Sequence, residues 1–321
     1  MKRCFFLVVS VWLSSFSAAK TVLYGEANAF GQVHMTDQGS VVELEGYLSH
    51  LGFRNRVDVE QAQFFFDVSL GFNVLGYSVL DRGLVYTRHG EIGLLGAKGE
   101  LRYFYGDTPL SATNHKLRLM DRDPDGLSTV FNASAAQNAG IELGLGSVDG
   151  IAYHSPTIAD RVSFEMALIP AEIVSAEAGY SVAGYYQSAQ TNVIAAYELN
   201  VEAENTQLLR LVASHQFQKL NFGFGAQWSG NTVRETQAQT YFAVAKFPWQ
   251  IGLKQTNTKM IFSWNQLTDQ DDSKTSQLYF SVVDEWALND KTSVYGFGEI
   301  ELANDFRDVA SYTGFGLRMK F

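Results

Sequence analysis

The sequence predicts an all-β chain: a transmembrane antiparallel β-barrel of sixteen strands. Three observations predict this fold. The chain starts with a short export signal, its side chains alternate between apolar and polar over most of its length, and no long apolar run follows residue 19. A membrane-crossing helix would need about 20 consecutive apolar residues, so any crossing must be made by strands.

The first residues have the three parts of a cleavable export signal. Two basic residues precede an uncharged run over residues 4–13, and Ser17 and Ala19 fit a signal peptidase site. The alternative, a membrane anchor, would need an apolar run of about 20 residues. We therefore expect residues 1–19 to be removed and residues 20–321 to form one barrel domain.

The composition excludes several other classes of protein. The net charge is −10, and nucleic-acid binding needs clustered Lys and Arg to contact phosphates. The single cysteine, Cys4, lies in the predicted signal, so neither disulfides nor thiolate metal sites are expected in the mature chain. The six histidines lack metal-site spacing, and no G-x-S-x-G motif occurs. We therefore expect no metal, no cofactor and no enzymatic activity.

Alternation of period two is clearest over residues 220–228. A strand turns successive side chains to opposite faces, so this segment has one apolar and one polar face. A soluble β-sandwich would bury the apolar face against a second sheet, whereas a membrane barrel turns it to lipid and lines its lumen with the polar face. The export signal, strands of about 9–11 residues or more, and aromatic residues near strand ends favour the barrel. Those aromatic residues are Tyr24, Trp228, Trp249, Trp286 and Phe321.

The same pattern predicts sixteen strands, an even number as bacterial barrels have. They are expected over residues 21–33, 41–54, 59–72, 84–96, 99–107, 149–155, 160–169, 179–189, 191–200, 205–216, 219–229, 236–247, 257–267, 274–287, 290–303 and 308–321. The region 248–257 fits either a long turn or part of a strand. The connection over residues 108–148 has no long alternating segment, and its length and charge fit either a surface loop or one folded into the lumen.

Several short motifs resemble the general bacterial porins, a family of trimeric sixteen-stranded outer-membrane barrels. In chain order they are Leu23-Tyr24-Gly25, Leu51-Gly52-Phe53, Arg88 before Gly93-Leu94, Gly99 with Asp107-Thr108-Pro109, Tyr153-His154-Ser155-Pro156, and Gly316-Leu317-Arg318 with terminal Phe321. The resemblance implies a water-filled channel for passive diffusion of small hydrophilic solutes and ions. It also implies a homotrimer surrounded by outer-membrane lipid in a Gram-negative bacterium. The C-terminal strand ending in Phe321 would be recognised by the barrel-assembly machinery.

The resemblance further implies that residues 108–148 fold into the barrel as a constriction loop, with acidic loop residues facing basic wall residues. Glu26 stands where many members have Lys, His50 stands where many have Arg, and Arg88 is retained. The expected wall side is Glu26, His50, Arg54, Arg88 and Arg102, and the expected loop side is Asp121, Asp123 and Asp125. This wall has few basic residues. Rings of Asp and Glu favour cations, so we expect a mild cation preference.

Other functions fit the same fold. A substrate-selective porin for oligosaccharides would need aromatic residues along its path, and Phe65, Phe104, Tyr295 and Phe297 lie on the lumen face of the predicted strands. A barrel enzyme would need a catalytic histidine near the outer rim. An adhesive or structural barrel would have a plugged lumen and no conductance.

Overall fold

The computed structural model describes residues 21–46, 49–72, 85–113, 148–171, 177–201, 204–233, 235–251, 254–303 and 308–321. The predicted signal over residues 1–19 and most of the predicted constriction loop lie outside these ranges. Within them, no helix has the length and apolar character needed to cross a bilayer.

The described residues form strands joined in one antiparallel sheet. The strands are β1 (Val22–Thr36), β2 (Gly39–Glu45), β3 (Ser49–Val59), β4 (Ala62–Phe72), β5 (Val85–Gly96), β6 (Gly99–Gly106), β7 (Val148–His154), β8 (Val162–Ile169), β9 (Gly179–Gln187), β10 (Thr191–Leu199), β11 (Thr206–Phe217), β12 (Leu220–Asn231), β13 (Thr236–Ile251), β14 (Lys254–Thr268), β15 (Lys274–Ala287), β16 (Thr292–Ala303) and β17 (Asp308–Lys320).

The sheet closes on itself because β17 pairs with β1, from Glu26↔Lys320 to Met35↔Ser311. β2 and β3 both pair with β1 and are the two halves of one barrel strand. The prediction of sixteen barrel strands is therefore confirmed. Closure removes the open edges that β1 and β17 would otherwise have, and an open edge cannot lie in hydrocarbon because its backbone groups would be unpaired.

Predicted and observed strands agree to within a few residues over the part of the chain that the structure describes. The largest departure is the region 248–257, where β13 continues to Ile251 and β14 begins at Lys254. Strand pairing continues there through Pro248 and Trp249, so this region belongs to the barrel wall.

The outward face of the strands is apolar and exposed, whereas side chains on the inward face are more enclosed. On β11, Leu209 and Leu211 are each 47% exposed and face outward, while Val212 is 1% exposed and faces the lumen. Outward-facing Trp228, Tyr241 and Trp264 form a row of touching rings, with centroids 6.1 Å and 5.7 Å apart. Such a row is typical of the aromatic girdles of membrane barrels.

One aromatic residue predicted for the outward girdle faces the other way. Tyr24 pairs with Gly52 on the lumen face, and its hydroxyl donates to Asp67. The expectation for Tyr24 was wrong because a tyrosine near a strand end can satisfy its hydroxyl in a polar lumen as readily as at a membrane surface.

Several lumen-facing aromatic rings lie over glycines of the neighbouring strand. Phe65 pairs with Gly93, and Phe104 pairs with Gly150. A Cβ added at Gly93 would lie 2.8 Å from Cζ of Phe65, so the ring occupies the space that a side chain there would need. Covering a strand glycine with an aromatic ring also shields the bare backbone. These rings therefore lie along the wall instead of projecting into the bore.

Candidate functional site

The lumen face of the barrel carries more carboxylates than bases among the described residues. The register places these acidic side chains on it: Glu26, Glu43, Asp58, Asp67, Glu91, Glu100, Glu165, Glu198, Glu285, Glu299, Glu301 and Asp308. The basic side chains on it are Arg54, Arg56, Arg88, Arg102, Arg210, Lys246, Lys259, Arg318 and Lys320. A wall of this composition attracts water and small ions.

A β-bulge between β2 and β3 places His50 on the lumen face. Glu26 of β1 pairs with His50, and Phe30 pairs with Glu45. Four steps along β1 therefore correspond to five steps from Glu45 to His50, so the strand made of β2 and β3 holds one extra residue. The hydroxyl of Ser49 replaces the lost ladder bonds, since its Oγ accepts from the Asn28 amide at 2.9 Å and donates to the Asn28 carbonyl at 3.1 Å. Bulges of this kind re-aim the side chains that follow them.

A second bulge, on β5, does the same for Arg88. Ser69 pairs with His89 but Leu70 pairs with Thr87, so Arg88 is the extra residue. The guanidinium of Arg88 then reaches across β4, and its Nη1 lies 2.7 Å from Nδ1 of His50. Two separate bulges thus bring together two of the predicted wall residues.

Two other predicted wall residues lie beside this pair. Glu26 pairs in register with His50, and its carboxylate lies 3.7 Å from Nε of Arg318. Arg54 lies over the ring of Tyr24, with its guanidinium carbon 5.3 Å from the ring centroid. Glu26, His50, Arg54 and Arg88 therefore form one patch, which we call the wall patch.

Arg102 lies apart from the wall patch in an acidic cluster. Its guanidinium contacts Glu91 at 3.4 Å, Glu100 at 2.5 Å, and Glu165. Glu165 also accepts from the hydroxyl of Tyr185 at 3.0 Å. Three carboxylates around one cation leave a net negative charge, so Arg102 adds little positive potential to the bore. Within the described ranges, no group of His, Asp or Glu has the arrangement of a metal site.

The residues that follow β6 turn into the lumen and dock on the wall formed by β9, β10 and β11. We call residues 108–113 the stem. The side chain of Leu110 packs in a buried cluster with Ala183, Ala196 and Leu208, which belong to the lumen faces of β9, β10 and β11. The hydroxyl of Thr108 donates to Glu198.

Arg210 is the main polar anchor of the stem. Its side chain is 1% exposed. Its Nη1 donates to the Leu110 carbonyl at 3.2 Å and to Thr113 Oγ1 at 2.9 Å, and its Nε and Nη2 donate to Gln227 Oε1 at 2.8 and 2.5 Å. The amide of Leu110 donates to Ser181 Oγ at 3.2 Å. Both backbone polar groups of Leu110 are thus bonded to the wall.

Comparison with known proteins gives structural matches only. No family model matches the sequence, and no curated protein matches it. An anion-selective porin from Comamonas acidovorans superposes with a TM-score of 0.76 at 16% identity, over 95% of this chain and 100% of that one. The trimer form of OmpT, an outer membrane protein of Vibrio cholerae, gives 0.69 at 11% identity over 95% and 100%. A mutant of the Rh. blastica porin gives 0.63 at 10% identity over 94% and 100%.

The chain has the fold of the bacterial porins. A sixteen-stranded barrel of this porin fold, with an apolar outer face, fits the outer membrane of a Gram-negative bacterium. The aligned regions cover nearly the full length of both chains, so the likeness includes the whole barrel.

The predicted acidic side of the porin constriction falls outside the described residues. Asp121, Asp123 and Asp125 all lie within 114–147, and the constriction loop over residues 108–148 is described only at its stem and at Val148. Their placement opposite the wall patch stays a prediction.

Sequence reasoning missed most of the residues that hold the stem. Ser181, Glu198 and Gln227 lie on the lumen faces of their strands, which the alternation predicts. Their partners are separated from them by up to about a third of the chain, and no local pattern indicates such contacts. The signal available in the sequence was Arg210 itself, a charge within the apolar segment 208–213, because a charge in apolar surroundings needs several hydrogen-bond partners.

The aromatic residues considered for an oligosaccharide path have little free surface. Phe65, Phe104 and Tyr295 are 6%, 2% and 3% exposed. Phe297 is half-buried and packs edge-on against Phe30, with centroids 6.0 Å apart. Sugar stacking requires an open ring face, so these four residues do not form an open stacking surface.

Proposed function

We propose that this chain is an outer-membrane porin, in which small hydrophilic solutes and ions diffuse passively through a water-filled lumen. The observation that carries the proposal is the polarity of the closed wall, which is charged inside and apolar outside. A barrel of about sixteen strands is too wide for side chains alone to fill, so water occupies the remaining space. No step of this function needs a cofactor or a catalytic group.

The bore is narrowed by residues 108–148 in this proposal. The direction of the stem supports it, because residues 108–113 already lie inside the barrel against β9–β11. Asp121, Asp123 and Asp125 then supply the acidic side of the constriction, facing the wall patch. The long connection is held near its start, which limits how far the following residues can move away from the lumen.

The channel prefers cations mildly. Carboxylates outnumber bases on the described lumen face, and two of the lumen arginines are held between carboxylates: Arg102 in its acidic cluster, and Arg318 between Glu26 and Glu285. Acidic linings favour cations. The Comamonas relative is described as anion-selective, so the preference of this chain follows from its own side chains and not from the fold.

The assembled form is a homotrimer surrounded by outer-membrane lipid. Support comes from the outward apolar surface and from a structural relative that is described in a trimer form. The C-terminal strand closes the barrel, with the Phe321 amide donating to the Gly25 carbonyl at 3.1 Å. This exposed terminal strand and aromatic residue are what the barrel-assembly machinery would recognise.

Purified protein in a planar lipid bilayer should give discrete conductance steps. Under a potassium chloride gradient at neutral pH, the zero-current potential should indicate a permeability ratio of potassium to chloride of about threefold, as expected for a modest excess of negative charge in an aqueous bore. Heat-denatured protein serves as the control. Absence of channels would overturn the proposed function, whereas an anion-selective channel would overturn only the selectivity.

A further inference from the structure

One charged side chain faces outward within the apolar band of the barrel wall. Asp284 of β15 pairs in register with Thr258 of β14 and with Gly296 of β16. Side chains alternate along a strand, so Asp284 shares the outward face of β15 with Phe280, which is 39% exposed. Val283, next to Asp284 on the lumen face, is 6% exposed. The carboxylate of Asp284 therefore faces the lipid side of the wall.

Two rows of outward aromatic side chains define the depth of Asp284 in the membrane. Trp249, Thr256 and Trp286 form one register row across β13, β14 and β15. Asp284 lies two residues inside this row, about 7 Å along the strand, and the aromatic row described above lies nearer the opposite rim. Among the described outward side chains of β13–β17 between the two rows, Asp284 is the only charged one. It therefore lies on the hydrocarbon side of the membrane interface.

The strand connections place Asp284 in the periplasmic half of the membrane. Residues 288–291 join β15 to β16 by a short turn close to Asp284, whereas the long connections over 73–84 and 107–147 lie at the opposite rim. Bacterial barrels have short periplasmic turns and longer extracellular loops. The lipid that meets Asp284 therefore belongs to the periplasmic leaflet.

The carboxylate of Asp284 is only partly satisfied by the wall. Among the described residues its hydrogen-bond partner is Thr258, whose hydroxyl donates to Oδ1. A carboxylate has about four acceptor sites, and an ionised side chain within a membrane is costly unless it is paired. Lys and Arg can extend a charge from this depth to the membrane surface, but an aspartate side chain is too short to do so. A cationic partner must therefore come to Asp284.

The membrane supplies a suitable cation more readily than a second copy of the chain does. Within the described ranges, the lysines and arginines inside strands face the lumen, and the others lie in turns or at strand ends. A second copy packed against β15 would therefore bring no described strand base to this depth. The headgroup of an amine phospholipid carries a primary ammonium, which has three N–H donors and no acceptor, like that of lysine.

A shallow apolar trough begins beside Asp284. Its floor is Gly296 and Gly298 of β16, and its sides are Val282, which pairs with Gly298, and Phe315, which pairs with Gly296. Phe315 is 72% exposed, so its ring stands out from the wall. A Cβ added at Gly298 would have no atom within 4 Å, so the floor is open to lipid. The trough runs from the carboxylate towards the middle of the membrane, which is the direction of an acyl chain.

Going beyond the channel function, we propose that Asp284 and this trough bind a phospholipid of the periplasmic leaflet that has a primary ammonium headgroup. The ammonium lies against the carboxylate of Asp284, which keeps its hydrogen bond from Thr258. One acyl chain of the same lipid lies over Gly296 and Gly298. The headgroup is drawn inward by about one row of side chains, and the membrane thins locally, as it does around other intramembrane charges.

The test counts bound lipids by native mass spectrometry. The folded barrel is held in detergent micelles that contain equal amounts of phosphatidylethanolamine and phosphatidylcholine, whose quaternary ammonium has no N–H donor. Wild type should retain phosphatidylethanolamine over phosphatidylcholine by about threefold, within the range of a partly exposed ion pair. Asp284→Asn keeps the shape of the side chain but loses its charge, so it should retain the two lipids within about 1.5-fold of each other. Asp284→Ser should behave in the same way and serves if the Asn variant does not fold.

Two further variants separate the headgroup contact from the trough. Asp149 faces outward from β7 at the opposite rim, so Asp149→Asn is the matched control and should keep the wild-type preference. Gly298→Val fills the trough and should reduce retention of both lipids without changing their ratio.

An unchanged preference in Asp284→Asn and Asp284→Ser, or no preference in wild type, would overturn the inference. Loss of subunit association in Asp284→Asn with unchanged lipid retention would assign the carboxylate to a second copy and overturn it as well. The readout is bound lipid, so a barrel that does not conduct would overturn the channel function and leave this test in force.

Discussion

Replacing Leu211 with arginine should strongly reduce the amount of folded, membrane-inserted barrel. Leu211 is 47% exposed at the middle of β11 and points away from the lumen. An arginine at the bilayer midplane of a barrel costs about 2–4 kcal/mol, which shifts folding by roughly 30- to 1000-fold. The measurement is the fraction of chain that folds when the protein is diluted from urea into liposomes. Folded and denatured chain are separated on a gel, where the denatured chain migrates more slowly.

The control places the same side chain on the other face of the same strand. Ser214 is three residues away and lies in the lumen. In Ser214→Arg the guanidinium can extend into water, so folding should change by less than about 1 kcal/mol. An equal loss of folding in both variants would mean that β11 does not separate lipid from water.

Replacing Arg210 with methionine should release the stem and make the open-channel current larger and noisier. Met keeps much of the volume but removes the guanidinium hydrogen bonds to the Leu110 carbonyl, the Thr113 hydroxyl and Gln227. A hydrogen bond that involves a charged group contributes about 1.5–3 kcal/mol, so the loss of these bonds favours detachment of the stem from the wall. Single-channel recording compares the mean current and its variance with those of wild type.

A second lumen cation serves as control for the loss of charge. Lys246 faces the lumen from β13 and makes none of the stem contacts. Lys246→Met should alter selectivity slightly and leave the current noise unchanged. If Arg210→Met were as quiet as wild type at the same conductance, the stem would not depend on this anchor.

The alternation in the sequence predicts the strands and most of the lumen and lipid faces, because a closed barrel allows each strand only one apolar side. It does not predict the bulges. Simple alternation places Arg88 on the same face as outward Ile92, and the inserted residue at β5 reverses that assignment. The family resemblance, and not periodicity, is what pointed to Arg88 and His50 as lumen residues.

Contacts between distant parts of the chain account for the rest of what could not be predicted. Arg102 lies on the lumen face, as the alternation predicts. Glu165, which is 63 residues away in the sequence, joins the nearby Glu91 and Glu100 around it, and the three carboxylates remove most of its influence on ions. The sequence places Leu110 in a loop. It becomes buried only because the loop docks on wall residues such as Arg210, which is 100 residues later in the sequence.

Cysteine labelling along β3 tests most directly which side of the wall meets water. The mature chain is expected to have no cysteine, so single cysteines can be placed at each of residues 51–58 and exposed, in liposomes, to a charged, membrane-impermeant thiol reagent. The lumen positions Arg54, Arg56 and Asp58 should react, and the alternate positions should be protected by lipid or packing. A cysteine at Gly52 should be shielded by the ring of Tyr24. Labelling that is uniform along β3, or strongest at Leu51, Phe53 and Val57, would contradict the proposed orientation of the barrel wall.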